Sequence, residues 1–248
     1  FQLENVLQFG TLPALDRKDR REKMDILSAY AQTYLREEIQ AEGIVRNLGG
    51  FSRFLDLAAS QSGELVSFSS IARECHLPVK TVQSYYEILE DTLVAYRLEP
   101  WAKSMRRRLV AHPKFYFFDL GVTNALTQRL SGSLDMMQKG RLFEQLIVLE
   151  TYRHIRYKQS EANIFFWRTN HGAEVDLIIE KHGKICAAIE VKLRSNPGGN
   201  ELSGLKSFRE EFPESTCLMV STAQNAYELD GIRILPWQIY IKELNKLL

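Results

Sequence analysis

The sequence lacks the long apolar run that a membrane-spanning helix requires. No uncharged stretch approaches the roughly 20 residues that cross a bilayer, and the first residues do not resemble a signal peptide. Its three cysteines lie far apart and form no CxxC pair, which argues against a disulfide framework and against a structural zinc site. We therefore expect a cytoplasmic protein in a reducing compartment.

The sequence also lacks a strong excess of charge of one sign. The formal net charge is +1, so any surface that binds a polyanion must be local. A length of 248 residues, with 45% hydrophobic and 25% charged residues, is typical of a globular protein with room for two domains. No G-x-x-x-x-G-K-[ST] phosphate-binding loop is present, so we expect no ATPase activity from this chain alone.

The first half of the sequence has the pattern of a helical segment followed by a winged helix. Helical spacing of apolar residues predicts one helix from Met24 to Tyr34. A second predicted helix starts at Phe51 and ends near Ser62 and Gly63. Ser67 can cap a short helix that ends at Leu77 and Pro78. A longer helix then runs from Val79 to Asp91.

Two predicted strands follow this helix pair, from Leu93 to Glu99 and from Lys114 to Phe118. A basic loop separates them. Two helices joined by a tight turn and followed by a strand, a loop and a strand are typical of a winged helix.

A winged helix that reads DNA places its second helix in the major groove and its wing on the backbone. The residues of that helix predicted to contact DNA are Lys80, Thr81, Gln83 and Ser84. The basic loop would contact phosphates through Lys103, Arg106, Arg107 and Arg108. A solvated loop, or a wing that packs on a neighbouring domain, explains the same basic cluster equally well.

The second half predicts a mixed α/β domain. A helix is expected from Gly140 to Leu149, and a later one from Leu202 to Phe212. The predicted strands are Asn163 to Trp167, Glu174 to Glu180, Lys184 to Lys192, Thr216 to Ser221 and Ile232 to Leu235.

Two carboxylates and a lysine are expected to converge on a hairpin in this domain. If the hairpin turn centres on Gly183, Asp176 lies opposite Glu190 on the neighbouring strand, and a register shift of one residue leaves the two acids as diagonal neighbours. Because side chains alternate along a strand, Lys192 shares the face of Glu190, while Ile189 and Val191 take the other face, towards a buried layer.

Paired carboxylates repel each other unless a cation neutralises them, and their oxygens suit Mg²⁺ or Mn²⁺. Exposed ion pairs on a surface hairpin are the structural alternative. The apolar residues around both acids favour a functional site, because buried charges are costly.

This spacing resembles the PD-(D/E)XK nuclease superfamily. Asp176 matches the first acid and Glu190-Val191-Lys192 the E-x-K element, while Glu144 matches an acid on a preceding helix. Val175 stands where the family often has proline. The resemblance implies a catalytic set of Glu144, Asp176, Glu190 and Lys192, with the three acids as metal ligands.

Over nearly its full length, the chain resembles the C-terminal region of a group of prokaryotic AAA+-type ATPases of unassigned function. The matching segments are Phe9 to Pro13, Tyr34 to Ile39, Leu89 to Leu93, Pro113 to Gly121 and Phe166 to Arg168. The resemblance implies a helical segment at 1–50 at the edge of an upstream ATPase lid, a winged helix at 51–120 and a restriction-endonuclease-like (PD-(D/E)XK) α/β domain at 121–248. ATP would bind only in the upstream domain, because the chain itself has no phosphate-binding loop. The chain starts at Phe1 rather than Met, and we expect it to begin within a longer protein.

Three functional hypotheses follow from the sequence. The first is a DNA-directed module whose nuclease-like domain is a metal-dependent deoxyribonuclease. The second is a non-catalytic module that binds nucleic acid or a protein and reports to the upstream AAA+ ATPase domain. The third is an assembly module that forms a homo-oligomer through the helices near Met24 to Leu55.

Overall fold

The computed structural model describes residues 2–34, 47–102 and 112–248 and has a mixed α/β architecture. The mixed α/β class expected from the sequence is therefore confirmed. The chain divides into two compact units, which consist of Phe1–Arg97 with His112–Leu142 and of Leu98–Ala111 with Phe143–Leu248. None of the helices in the described ranges combines the length and the apolarity needed to cross a membrane.

The first unit is mainly helical. Its helices are α1 (Leu3–Phe9), α2 (Arg20–Ala29), α3 (Leu48–Ser60), α4 (Phe68–Cys75), α5 (Val79–Asp91) and α6 (Leu120–Leu126). A 3₁₀ turn at Pro13–Leu15 precedes α2, and a π-helical segment at Tyr30–Tyr34 follows it. The helix α7 (Met136–Tyr157) begins in this unit.

Side-chain caps set the start of several helices in this unit. Asp19 and Glu22 form a reciprocal capping box at the start of α2. The predicted cap of α4 is confirmed, because the Ser67 hydroxyl accepts a hydrogen bond from Ser70 N. The helix α4 ends where His76 adopts a left-handed conformation with φ of 55°, and α5 then has the bounds predicted from its periodicity.

Two short strands complete the first unit. They are β1 (Ala95–Leu98) and β2 (Lys114–Phe117), which pair in a two-stranded sheet. Residues just before α4 also contact β2, since Gly63 N donates to the Phe115 carbonyl and Leu65 bridges Lys114. The strand predicted to start at Leu93 starts two residues later, because Leu93 is 76% exposed and has a left-handed φ of 59°.

An aromatic cluster forms the core of the first unit. The Tyr86 ring packs edge-on against Phe54, with 4.9 Å between ring centroids, and lies 4.2 Å from Phe115. Phe54 and Phe115 are both buried. Aromatic contacts of this kind stabilise the folded state beyond the burial of apolar surface alone. They therefore stabilise the packing of α3, α5 and β2 against one another.

The second unit contains a six-stranded sheet with helices. Its strands are β3 (Asn163–Arg168), β4 (Glu174–Lys181), β5 (Lys184–Lys192), β6 (Thr216–Ser221), β7 (Tyr227–Leu229) and β8 (Ile232–Pro236). The spatial order is β3-β4-β5-β6-β8-β7. The helices after β5 are α8 (Ser203–Glu211) and α9 (Trp237–Glu243).

The sheet of the second unit changes from antiparallel to parallel pairing at β5. The pairs β3–β4 and β4–β5 are antiparallel, whereas β5–β6 and β6–β8 are parallel. A parallel neighbour requires a crossover connection, and α8 provides it between β5 and β6. Phe208 and Leu205 of α8 are buried in a core with Ile178, Ala188 and Met219 of the sheet.

Candidate active site on the β4–β5 hairpin

The hairpin turn consists of His182 and Gly183. Both have positive φ, 52° and 75°, as a two-residue turn between antiparallel strands requires, and glycine adopts this conformation without strain. Lys181 pairs with Lys184 beside the turn. If the register continued without interruption from this turn, Asp176 would lie opposite Ile189 rather than Glu190.

A β-bulge shifts the pairing register of β4 and β5 by one residue. Glu180 pairs with Ile185, but the next residue of β4, Ile179, pairs with Ala187, which leaves Cys186 as the extra residue of β5. The last pair before the site is Leu177 with Ile189, and one further step brings Asp176 level with Glu190. The two carboxylates therefore depend on the bulge to lie side by side.

Both carboxylates are buried, with 7% of the residue surface exposed for Asp176 and for Glu190. Asp176 Oδ2 accepts a hydrogen bond of 2.8 Å from Val191 N. Glu190 lies near α8, because a Cβ atom at Gly204 would come within 3.6 Å of Glu190 Oε2. We expected a buried layer on the side of Ile189 and Val191, and α8 covers the face of Glu190 as well.

Lys192 contributes a positive charge to this site. Its Nζ lies 2.5 Å from Glu190 Oε1, and 36% of the lysine side chain is exposed, compared with 9% for the glutamate. Burial by itself would lower the pKa of the lysine, but the carboxylates of Asp176 and Glu190 raise it above its ordinary value. The ammonium is therefore held in the charged form.

The pKa of Glu190 is raised well above its ordinary value. Burial is the main cause, the negative charge of Asp176 adds to it, and Lys192 offsets only part of the shift. Glu144, half-buried on α7, also contributes to the raised pKa values of both Glu190 and Lys192. Of the four residues predicted as the catalytic set, the structure thus brings together Asp176, Glu190 and Lys192, and Glu144 is close enough to act on the pKa values of Glu190 and Lys192.

The donor set can be compared with the needs of a divalent cation. Glu190 Oε2 is buried without a hydrogen-bond partner, a costly arrangement that a cation at this position would relieve. In the part of the chain that the structure describes, no group of three His, Cys, Asp or Glu side chains is arranged to hold a metal ion. The pair Asp176 and Glu190 fits Mg²⁺, which keeps several waters and needs only one or two carboxylates.

The residues predicted to contact DNA fall into two groups. Lys80, Gln83 and Ser84 are exposed on α5, and Thr81 is partly exposed. Glu87 is also exposed further along the helix, so an anionic ligand would meet only the first half of α5. The basic loop residues Lys103, Arg106, Arg107 and Arg108, like most of the segment Tyr34 to Ile39, lie outside the described residues.

Sequence reasoning missed the role of Gly204. A Cβ atom at this position would lie 2.0 Å from the Glu174 carbonyl oxygen. Only glycine therefore lets the start of α8 approach the strand that carries Asp176. One feature of the sequence could have indicated this close approach. It is the glycine near the start of the helix that follows the E-x-K element. Arg168, at the end of β3, forms an ion pair of 3.4 Å with Glu174.

Comparison with known protein families gives two matches. A family model described as a domain of unknown function, DUF8612, matches residues 1–133, and the chain therefore belongs to this family. A second domain of unknown function, DUF4143, matches residues 139–240. These residues include the β4–β5 hairpin, so the candidate site lies within the second match.

Two uncharacterised mycobacterial proteins, from Mycobacterium tuberculosis and Mycobacterium bovis, are similar to the chain. Each is 25% identical to it over 198 residues, which cover 77% of this chain and 43% of the relative. The chain thus spans less than half the length of these relatives. No solved structure matches the chain significantly.

Proposed function

We propose that the second unit is a metal-dependent nuclease-like domain that hydrolyses phosphodiester bonds, and that the first unit directs it to DNA. The observation that carries this proposal is the convergence of Asp176, Glu190 and Lys192, with a buried carboxylate oxygen that has no partner. Charged groups in such an environment are expensive for stability, and they are concentrated at functional sites.

The order of elements around the site supports the PD-(D/E)XK resemblance. The helix α7 carries Glu144, the strand β4 carries Asp176, and β5 carries the E-x-K element. The bulge and the approach of α8 hold the two acids in one place. These features are those expected of a site built on rigid elements rather than on loops.

Each residue has a separate role in this proposal. Asp176 and Glu190 would hold Mg²⁺ or Mn²⁺, with Glu144 adding negative charge beside them. When bound, the ion supplies polarisation of the phosphodiester and a more acidic water. The Lys192 ammonium is placed to orient the attacking water or to stabilise negative charge that develops on the phosphate.

The proposed DNA-binding surface is the exposed first half of α5. The sequence of elements from α4 to β2 supports a winged helix, in which this helix would enter the major groove. Lys80, Gln83 and Ser84 would meet the DNA there. The resemblance to AAA+-type ATPases supports a further proposal, an upstream AAA+ ATPase domain as partner. More than half of each mycobacterial relative lies outside the matched segment, which leaves room for another domain in those proteins.

A non-catalytic interaction module is the second candidate function. The ion pair between Lys192 and Glu190 favours it, because this pair neutralises part of the site without a metal ion. In that case, the nuclease-like fold would bind nucleic acid or a protein without cleaving it. The two candidates differ in whether metal is required.

The test is cleavage of plasmid, linear, single-stranded and branched DNA with Mg²⁺ or Mn²⁺. The wild type is compared with Asp176→Ala and Lys192→Ala, and Lys184→Ala serves as a matched control because Lys184 is an exposed lysine on the same strand. We expect both site variants to lose cleavage and the control to keep it.

Two other outcomes oppose the nuclease proposal. Cleavage that survives Asp176→Ala would indicate a contaminating activity or a different site. Absence of cleavage together with absence of metal binding would leave the interaction module as the function. DNA binding that does not depend on metal and that Lys80→Glu weakens would then support this second candidate.

A further inference from the structure

The metal-free site already contains a cation, the Lys192 ammonium. It contacts Glu190 Oε1, whereas Oε2 of the same carboxylate has no partner. The charges of Asp176 and Glu144 also act on this ammonium. The ammonium thus occupies one oxygen of Glu190 and leaves the other available to a second cation.

The two partners of the ion pair differ in their freedom to move. Glu190 lies within β5, and its side chain is 9% exposed. Lys192 is the last residue of that strand, and its side chain is 36% exposed on a flexible four-carbon stem. The ammonium can therefore reach water without any change of the sheet, while the carboxylate cannot leave the site.

We propose that Lys192 is the resident counter-ion of the metal-free site and that a divalent cation displaces its ammonium from Glu190. The inference rests on the proposed function, because it assumes that Asp176 and Glu190 bind a metal ion. The displaced ammonium becomes available to an anionic group such as a phosphate. Metal binding then precedes and strengthens the binding of the anion.

Calorimetric titration of the intact chain with Mn²⁺ tests the competition. Lys192→Met removes the charge but keeps an unbranched side chain, and Lys192→Arg keeps the charge. We expect Lys192→Met to bind Mn²⁺ at least tenfold more tightly than the wild type, and Lys192→Arg to stay within about threefold of it. Lys184→Met on the same strand controls for the general effect of removing one positive charge.

A second measurement uses the wild-type protein and does not depend on a variant that folds. In a sample labelled with ¹⁵N at lysine Nζ, the Lys192 ammonium signal is assigned by its absence in Lys192→Arg. The signal should move towards the position of solvated lysines as Mg²⁺ is added. Signals of exposed lysines such as Lys184 should not follow the same titration.

The outcomes distinguish a failure of the counter-ion role of Lys192 from a failure of the metal site itself. If metal binds but Lys192→Met has unchanged or weaker affinity, or the ammonium signal stays constant, the counter-ion role is wrong while the metal site stands. If neither the wild type nor Lys192→Met binds Mn²⁺ or Mg²⁺, the metal site and the counter-ion role are both wrong.

Discussion

Asp176 accepts a hydrogen bond from the backbone N–H of Val191 at the point where the regular β4–β5 register ends. This contact makes Asp176 a structural link between the strands as well as a proposed metal ligand. Asp176→Ala should leave a buried N–H without its acceptor and lower the free energy of unfolding by about 1–3 kcal/mol.

Asp176→Asn separates the two roles of this residue. Its amide oxygen can still accept from Val191 N, so the metal-free variant should unfold within about 1 kcal/mol of the wild type. It should lose the increase in melting temperature that Mn²⁺ gives the wild type. Thermal melts in EDTA and in Mn²⁺ measure both effects, and an equal metal response in Asp176→Asn would remove this residue from the ligand set.

Glu190→Gln should stabilise the metal-free protein at neutral pH. The pKa of Glu190 in the folded protein lies well above the ordinary value of 4.5, mainly because of burial. The folded state therefore holds the proton more tightly than the unfolded chain, and stability is lost as the pH rises above about 4.5 towards and through the folded pKa. Removing the carboxylate removes this loss.

The difference in melting temperature between Glu190→Gln and the wild type should be small near pH 4.5 and should grow towards pH 8. Glu228→Gln, at an exposed position on β7, is the control for the removal of one carboxylate. In Mn²⁺ the wild type should have the higher melting temperature of the two, because only the wild type keeps both carboxylates of the proposed metal site. A constant difference across the pH range would contradict the burial argument.

Gly204→Ala should displace α8 from β4. The added methyl group would lie 2.0 Å from the Glu174 carbonyl oxygen, which belongs to the backbone and cannot turn away. We expect a loss of about 1–3 kcal/mol in the free energy of unfolding and a weaker response to Mn²⁺. Denaturant titrations with and without metal measure both quantities.

Gly140→Ala is the matched control for this substitution. Gly140 lies within α7, and a Cβ atom there would meet nothing within 4 Å. Alanine is favoured over glycine in a helix by roughly 0.5–1 kcal/mol, so this variant should gain stability. If both variants gain stability, the close approach at Gly204 does not constrain α8.

The sequence predicted the long periodic elements well. The helix Val79–Asp91 and the strands Lys184–Lys192 and Thr216–Ser221 have the predicted bounds. Each has a clear apolar pattern between recognisable end signals. The helix α6 was missed because all its residues from Leu120 to Leu126 are buried, so no polar face marks a helical period.

The candidate site was predicted for a partly incorrect reason. We expected a turn centred on Gly183 to place Asp176 opposite Glu190. The turn instead consists of His182 and Gly183. The bulge at Cys186 then shifts the register by the one residue that brings Asp176 level with Glu190. A bulge depends on the packing of both strands, and the residues Ile185 and Cys186 contain no signal for it. The approach of α8 likewise depends on tertiary packing.

Asp119 should be the strongest single polar determinant of stability in the first unit. It is completely buried, and Oδ1 accepts from Gly121 N at the start of α6, while Oδ2 accepts from Thr11 N. Two segments that carry the family resemblance, Phe9 to Pro13 and Pro113 to Gly121, are joined by this carboxylate. Gly10 has φ of 73°, and a Cβ there would collide with Asp119.

Asp119→Ala should therefore lower the free energy of unfolding by about 3 kcal/mol or more, because several buried N–H groups lose a charged acceptor. Asp135→Ala is the control, since Asp135 caps α7 in the same way through Gln138 N but is exposed. An exposed cap contributes about 1 kcal/mol. Urea unfolding of both variants gives the comparison, and equal losses would mean that the link from Asp119 to Thr11 adds nothing beyond an ordinary helix cap.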